Sequence, residues 1–203
     1  MLFRSGLVRE PSAGNQVLLV DTTTLITLAK ADVNSGAGTT NLDLLFASGR
    51  TIVITSTVFS EATVGQGTFA DSSMIYSWAT SHPSAVRIES NAAFPMAGSP
   101  NDSRGLGPGE RSMEIYAAAN GASEDVRVLS DDTRFIYGTY AGGDAHSRPD
   151  IAGTSGKNLT TAEYVNDLLL SGGVSIWEHT KTVAGVASTG RINGEQNDIL
   201  IKP

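Results

Sequence analysis

The feature that most constrains this fold is a set of short apolar runs, each of strand length, separated by segments of helical character. The clearest runs lie at 16–20, 51–54 and 126–129, and a shorter one lies at 86–88. A continuous apolar run is typical of a strand that is buried on both faces. Such strands in alternation with helices predict an α/β protein, a three-layer α/β/α domain with a mostly parallel central sheet.

The segments between these strands carry helix and loop signals. Helices are predicted at 22–29, near 42–46, from 57, and at 68–80, 110–119 and 160–170, with loops at 31–41, 90–106 and 138–158 and a last strand at 174–177. In the 68–80 helix, Phe69, Ile75, Tyr76 and Trp78 are the predicted core contacts, and Thr161 is a predicted cap of the last helix. We expect one domain at 16–180, after a poorly ordered lead-in at 1–15 and before a tail at 181–203.

Composition excludes several classes of protein. The chain has 203 residues, 40% hydrophobic and 17% charged, so it is long enough for a core and resembles neither a disordered nor a membrane protein. No apolar run approaches the ~20 residues that a membrane span needs, and the N-terminus lacks an apolar signal segment. We therefore expect a soluble, cytoplasmic protein with no membrane partner. The absence of cysteine excludes disulfides and thiolate metal sites.

The formal net charge of −7 argues against a nucleic-acid partner, because such proteins usually carry a basic surface. The objection weakens if several acids share bound divalent cations, which reverse the local sign of charge.

Acidic residues follow the predicted strands. Asp21 and the Asp131-Asp132 pair come directly after strands, Glu61 lies a few residues past another, and Glu110 opens a helix. Ligands of open α/β sheets bind at the carboxyl ends of the strands, where these acids can converge. Carboxylates packed together without Lys or Arg repel one another, and Mg²⁺ or Mn²⁺ prefers such oxygen ligands. Two ions about 4 Å apart can activate water for phosphodiester cleavage.

Each of these acids also has a simple structural interpretation. Asp21 is a plausible N-cap of the helix that follows it. Glu110 would complement a helix dipole, an effect of only ~0.3–1 kcal/mol. Asp131 or Asp132 would cap the next helix or form an Asx turn, and Glu61 would be a solvated helix position. Capping alone does not explain why the acids fall at one edge of the predicted sheet.

The order of these motifs resembles that of the PIN-domain family over roughly residues 16–177. The family's first strand ends in Asp followed by Ser or Thr, as Asp21 and Thr22 do here. A second acid lies in the helix after the next strand, as Glu61 does, and a third opens an Ala-rich helix, as Glu110 does where many members have Asp. The last strand is followed by Thr-x-Asp-x-x-Phe, which the segment 130–135 matches with Ser in place of Thr.

The resemblance implies an endoribonuclease that depends on Mg²⁺ or Mn²⁺. By that resemblance Asp21, Glu61, Glu110 and Asp132 are catalytic and bind metal, and the adjacent Asp131 is counted with the metal ligands. Members are often toxins of bacterial toxin–antitoxin pairs, so the implied partners are RNA, an antitoxin or immunity protein, and a second copy in a homodimer. The loops at 90–106 and 138–158 are longer than a compact toxin needs and leave open an effector or a module of a larger protein.

Other polar residues are assigned by their place beside these motifs. The hydroxyls of Thr22 and Ser130 would support the metal site, and Arg111 and Arg134 would contact substrate phosphates. The histidines His82, His146 and His179 are isolated and fit no metal-ligand spacing.

Three alternatives remain at this point. One is a Mg²⁺-dependent phosphatase-like hydrolase that uses Asp21 as its nucleophile, although Thr23 stands where haloacid-dehalogenase-type enzymes carry a second Asp. Another is a non-catalytic binding module with a PIN-like fold, against which the presence of all four acids argues. The third keeps the nuclease and takes DNA as its substrate.

Overall fold

Four parallel strands form one sheet in the computed structural model, which describes residues 16–36, 38–132, 135–136, 151–154 and 158–172. The strands are β1 (Gln16–Val20), β2 (Thr51–Thr55), β3 (Val86–Glu89) and β4 (Asp125–Leu129), in the spatial order β3-β2-β1-β4. The predicted α/β class with a parallel sheet is confirmed. The lead-in, the strand predicted at 174–177, the tail and much of the 138–158 loop lie outside the described residues.

Helices connect the strands and pack on the sheet. Their bounds are α1 (Thr22–Ser35), a 3₁₀ helix (Leu42–Ser48), α2 (Ser56–Thr63), α3 (Ala70–Ser81), α4 (Pro108–Asn120) and α5 (Thr161–Gly172). Within the described ranges, no helix is long and apolar enough to cross a membrane.

The strand order creates a switch point between β1 and β4. The chain runs outward from β1 to β2 and β3, and then returns to add β4 on the other side of β1. Leu18 of β1 is thus paired with Ile52 of β2 on one side and with Arg127 of β4 on the other. In open parallel sheets the crevice at such a switch point, outside the carboxyl ends of the strands, is the usual ligand site.

Both faces of the central strands are covered. Successive residues of a strand point to opposite faces, and the four residues 17–20 of β1 are all at most 2% exposed. The same holds for Ile52, Val53 and Ile54 of β2. Full burial of one such side chain contributes ~1.5–3 kcal/mol, so these runs fix the middle of the sheet in the core. The continuous apolar pattern is therefore explained by burial of these strands on both faces, as the sequence predicted.

Helix α1 is longer than predicted and includes the first part of the segment expected to be a loop. It continues to Ser35 and ends at Gly36, whose φ of 65° is a left-handed conformation that glycine adopts without strain. Its buried Asp32 accepts hydrogen bonds from the backbone N–H groups of Asn41 (2.7 Å) and Leu42 (3.0 Å). These bonds join the last turn of α1 to the 3₁₀ helix, a long-range contact that the polar, glycine-containing segment did not reveal.

The core contacts predicted for α3 are half right. Ile75 and Trp78 are buried, and the indole N–H of Trp78 donates to Asp43 at 2.9 Å. Phe69 and Tyr76 are not core residues, with 62% and 37% exposure. Phe69 precedes the helix, and Tyr76 lies on its outer side, where its ring contacts that of Phe59.

The start of α5 is a capping box one residue earlier than predicted. Thr160 accepts a hydrogen bond from the N–H of Glu163 (3.2 Å), and the Glu163 carboxylate accepts one from the N–H of Thr160 (3.0 Å). Thr160 is therefore the cap. Thr161, predicted to have that role, instead turns its hydroxyl toward Asp131 and Thr24.

Candidate acidic site at the carboxyl edge of the sheet

Asp21 lies at the end of β1, with 1% of its surface exposed. Its backbone N–H continues the sheet by donating to Leu129 O at 2.9 Å, so it lies directly beside the end of β4. It occupies the N-cap position of α1, but its side chain makes no capping hydrogen bond there. Instead, Oδ2 accepts hydrogen bonds of 2.7 Å from the hydroxyls of Thr23 and Ser130. The carboxylate is thus held at the switch point between the two strands.

Burial of Asp21 has an electrostatic cost. Burial raises the pKa of its carboxyl, hydrogen bonds from Ser130 and Thr23 lower it, and the charge of Asp132 raises it further. A buried carboxylate with a second acid nearby favours a proton or a cation in its surroundings.

Ser130 joins Asp21 to Asp132. The serine is fully buried, and while its hydroxyl donates to Asp21 it also accepts the N–H of Asp132 at 3.0 Å. Asp132 in turn accepts the N–H of Phe135 on Oδ1 at 3.0 Å. Asp132 therefore stabilises a local turn, one of its predicted structural roles, and still lies close enough to Asp21 and Glu110 to raise the pKa of each.

Asp131 faces the start of α5. Its two carboxylate oxygens accept 2.8 Å hydrogen bonds from the backbone N–H and the hydroxyl of Thr161, and its own N–H donates to Thr23 Oγ1 at 3.1 Å. Burial raises the pKa of Asp131, while the bonds from Thr161 lower it. These contacts give Asp131 a part in holding α5 against the site.

Glu61 reaches the site from α2. Its Oε2 accepts the hydroxyl of Thr22 at 2.9 Å. The start of α4 passes so close that a Cβ at Gly109 would lie 2.5 Å from the same oxygen, so a larger residue there would displace the Glu61 carboxylate. Burial raises the pKa of Glu61, the hydrogen bond from Thr22 lowers it, and the charge of Asp21 raises it.

Glu110 lies within electrostatic range of the other three acids. It is half-buried in the first turn of α4, and its side chain folds back toward Gly107. Burial raises the pKa of Glu110 to about 7, and the charges of Asp21, Asp132 and Glu61 contribute to that shift. The structure thus brings together the acids that the sequence selected, from four separate segments of the chain.

The carboxylates of Asp21, Glu61 and Glu110 form no ion pair with a basic side chain in the described part of the chain. The ion pairs found there involve Arg50, Arg87 and Arg104, and each of them engages other acids. Over the same ranges, no three His, Cys, Asp or Glu side chains are arranged closely enough to hold a metal ion together. What fits a hard divalent cation is the chemistry of the donors, which are carboxylates with hydroxyls beside them.

The structure describes one of the two arginines that are predicted to bind phosphate. Arg111 donates to the carbonyl oxygens of Gly107 (3.4 Å) and Pro100 (3.1 Å), so its guanidinium holds the end of the 90–106 loop on α4. Arg134 lies outside the described residues. The loop is also tied down by Arg104, which pairs with Asp102 and with Glu114 of α4.

Four hydroxyl residues of the site were not selected from the sequence. Thr23 and Thr161 hold Asp21 and Asp131, as described above. Thr55 and Ser112 share a buried hydrogen bond of 2.6 Å that ties the end of β2 to α4. Thr55 also accepts the N–H of Val58 at 3.2 Å as the N-cap of α2, and a Thr between a strand and a helix was a usable signal for that role.

Comparison of the chain with models of protein families, with curated proteins and with solved structures finds no match. The assignment of function therefore rests on the site.

Proposed function

We propose that this chain is a metal-dependent nuclease that hydrolyses RNA phosphodiesters. The observation that carries the proposal is the position of Glu110, a half-buried carboxyl near the switch point of a parallel sheet. Burial and the charges of Asp21, Asp132 and Glu61 raise its pKa. Repulsion within such a group destabilises the folded chain unless protons or cations offset it. Oxygen ligands select Mg²⁺ or Mn²⁺ over softer metals.

In this proposal Asp21, Glu61, Glu110 and Asp132 hold the cation. Mg²⁺ or Mn²⁺ at these oxygens would supply the activation of water and the charge stabilisation that phosphodiester hydrolysis needs. Ser130 and Thr23 orient the Asp21 carboxylate, and Thr22 orients that of Glu61. Since cation binding requires ionised ligands, Glu110 is expected to release its proton when the site is loaded.

Support for the PIN-like part of the proposal is the order of the motifs along the chain together with a parallel sheet that carries Asp21 and the segment 130–132 on adjacent strands. A toxin or effector role, an antitoxin or immunity protein as partner, a homodimeric state and action in the cytoplasm extend the proposal on the strength of the family resemblance alone.

The proposal is tested by incubating the purified chain with single-stranded RNA and Mn²⁺, beside Asp21→Asn and Glu110→Gln. Asp71→Asn, which changes an acid at the start of α3, is the matched control. We expect cleavage by the wild type and the control and a loss of ~10²-fold or more in the two site variants, the scale of removing one electrostatic catalytic contact. Circular dichroism verifies that each variant is folded.

Other results would support the alternatives. Equal cleavage by all four proteins would identify a contaminating nuclease and remove the proposal. Turnover of small phosphate esters without RNA cleavage would favour the phosphatase-like hydrolase. RNA binding without cleavage would favour the non-catalytic binding module. Cleavage of DNA in preference to RNA would favour a nuclease whose substrate is DNA.

A further inference from the structure

A cavity of about 340 Å³ lies between α2 and the loop that follows β3. Its volume falls within the range of small-ligand pockets, ~300–1,000 Å³. Ser56, the first residue of α2, and Asn91, just past β3, are both in its wall, so the cavity lies at the same carboxyl edge of the sheet as the acids. From the usual strand spacing of ~4.8 Å, the ends of β1 and β3 are about 10 Å apart.

The wall of this cavity combines polar and apolar side chains without any charge. Ser56, Ser60 and Asn91 contribute hydroxyl and amide groups, and Phe94 and Met96 contribute apolar surface. Neither serine hydroxyl has a hydrogen-bond partner in the part of the chain that the structure describes. Met96 is 80% exposed, so its apolar side chain is accessible to a ligand.

The loop side of the cavity is held in place. The Thr57 hydroxyl donates to the carbonyl oxygen of Pro95 at 2.7 Å, which attaches the loop to α2. The side-chain Oδ1 of Asn91 accepts a hydrogen bond from the N–H of Ala93 at 2.9 Å. The backbone carbonyl oxygen of Asn91 accepts one from the N–H of Phe94 at 3.0 Å. The apolar surface is therefore presented by a bonded turn, and little ordering is needed when a ligand enters.

We propose that this cavity receives an unpaired base of the RNA strand whose phosphodiester lies at the acidic site; this inference rests on the proposed function. A base has an apolar ring face and donors and acceptors along its edge, which matches a wall that combines Phe94 and Met96 with the hydroxyls of Ser56 and Ser60. The uncharged lining suits a base better than a phosphate. Since a base stacked within a duplex cannot enter, the cavity selects single-stranded RNA.

The first experiment separates the cavity from catalysis by using nucleosides, which carry a base but no phosphate to be cleaved or repelled. Adenosine, guanosine, cytidine and uridine are titrated in EDTA into the isotope-labelled protein, and backbone amide shifts are recorded by NMR. We expect at least one nucleoside to shift the amides of residues 56–60 and 91–97. Ser60→Trp, which fills the cavity from an exposed helix position, should abolish those shifts, and Met96→Ala should weaken them.

Ser77→Trp places the same side chain at an exposed position of α3 and is the matched control, with shifts expected as in the wild type. No shift with any of the four nucleosides, or equal shifts in Ser60→Trp, would overturn the proposal.

The second experiment is RNA cleavage with Mn²⁺. We expect Ser60→Trp to raise KM for single-stranded RNA at least about fivefold, the lower end for one lost base contact of ~1–3 kcal/mol. An unchanged KM in an active enzyme would overturn the proposal that the cavity binds a base, and the proposed nuclease function would stand. If the wild type cleaves nothing, the proposed function fails, and the nucleoside titration alone decides whether the cavity binds a base.

Discussion

The hydroxyl of Ser130 donates a 2.7 Å hydrogen bond to Oδ2 of Asp21, across 109 residues of sequence. This bond joins the carboxyl ends of β4 and β1, and it is made in a fully buried position. A buried carboxylate that loses a donor carries an unsatisfied charge, which is costly.

Ser130→Ala is therefore expected to lower both stability and activity. The free energy of unfolding should fall by ~1–3 kcal/mol, because Asp21 loses a donor and the N–H of Asp132 loses its acceptor. Cleavage should fall at least about tenfold as Asp21 loses its orientation. Urea unfolding and RNA cleavage measure the two effects. Ser103→Ala, at an exposed loop position, should change neither, and an Ser130→Ala protein equal to wild type would show that the bond does not matter.

The stability of the metal-free chain should fall as pH rises. The pKa of Glu110 is raised from 4.5 to about 7, so the folded chain binds this proton more tightly than the unfolded chain does. Its stabilising contribution is complete below about pH 4.5 and is lost as pH rises through 7. In EDTA, Glu110→Gln should match the wild type at low pH and exceed its stability above pH 7, by on the order of 1 kcal/mol after solvent screening of a half-buried group.

Urea midpoints across this pH range test that expectation. Glu114→Gln alters an acid on the same helix that pairs with Arg104 instead of facing the cluster. The stability of this variant should still fall as pH rises, as that of the wild type does. A wild-type curve parallel to that of Glu110→Gln would contradict the pH dependence.

Mn²⁺ should stabilise the chain whether or not RNA is present. A ligand that binds only the folded state at about 100 times its Kd adds ~2.7 kcal/mol. The thermal unfolding midpoint should therefore rise with Mn²⁺, and this rise should be absent in Asp21→Asn and preserved in Asp71→Asn. If the wild type shows no rise at any Mn²⁺ concentration, the carboxylates do not form a cation site.

Asp131→Ala and Asp132→Ala should respond differently to Mn²⁺ in the same thermal unfolding measurement. Because both oxygens of Asp131 are engaged by Thr161, we expect Asp131→Ala to cost ~1–3 kcal/mol of stability and still respond to Mn²⁺. Asp132→Ala should lose most of the response. Loss of the Mn²⁺ shift in Asp131→Ala would make Asp131 a ligand and exclude a purely positioning role.

The strands were predictable because local pattern and burial agree. Apolar runs such as 17–20 leave few alternatives to a covered parallel strand, and acids that follow such strands fall at one edge of the sheet by topology alone. The extent of α1 was not predictable, since the hydrogen bonds of Asp32 to Asn41 and Leu42 exist only after the chain has turned.

Within the site, the acids were recognisable and their hydroxyl partners mostly were not. Thr161 and Ser112 have no local signature for their roles in the site, because their partners Asp131 and Thr55 come from remote parts of the chain. The different surroundings of Asp131 and Asp132 could not be read from two adjacent identical residues either. Their side chains differ only because Asp131 meets the first turn of α5 and Asp132 remains beside Ser130.

The late return of β4 to the far side of β1 has a consequence for biosynthesis. A ribosome-bound chain that has completed only β1, β2 and β3 carries Asp21 and Glu61 but has neither the Ser130 donor nor Asp132. At translation rates of ~5–20 residues per second, several seconds separate the synthesis of β3 from that of β4. During that interval a nascent chain of this protein cannot assemble the acidic site, and under the proposed function RNA cleavage would begin only after β4 has paired with β1.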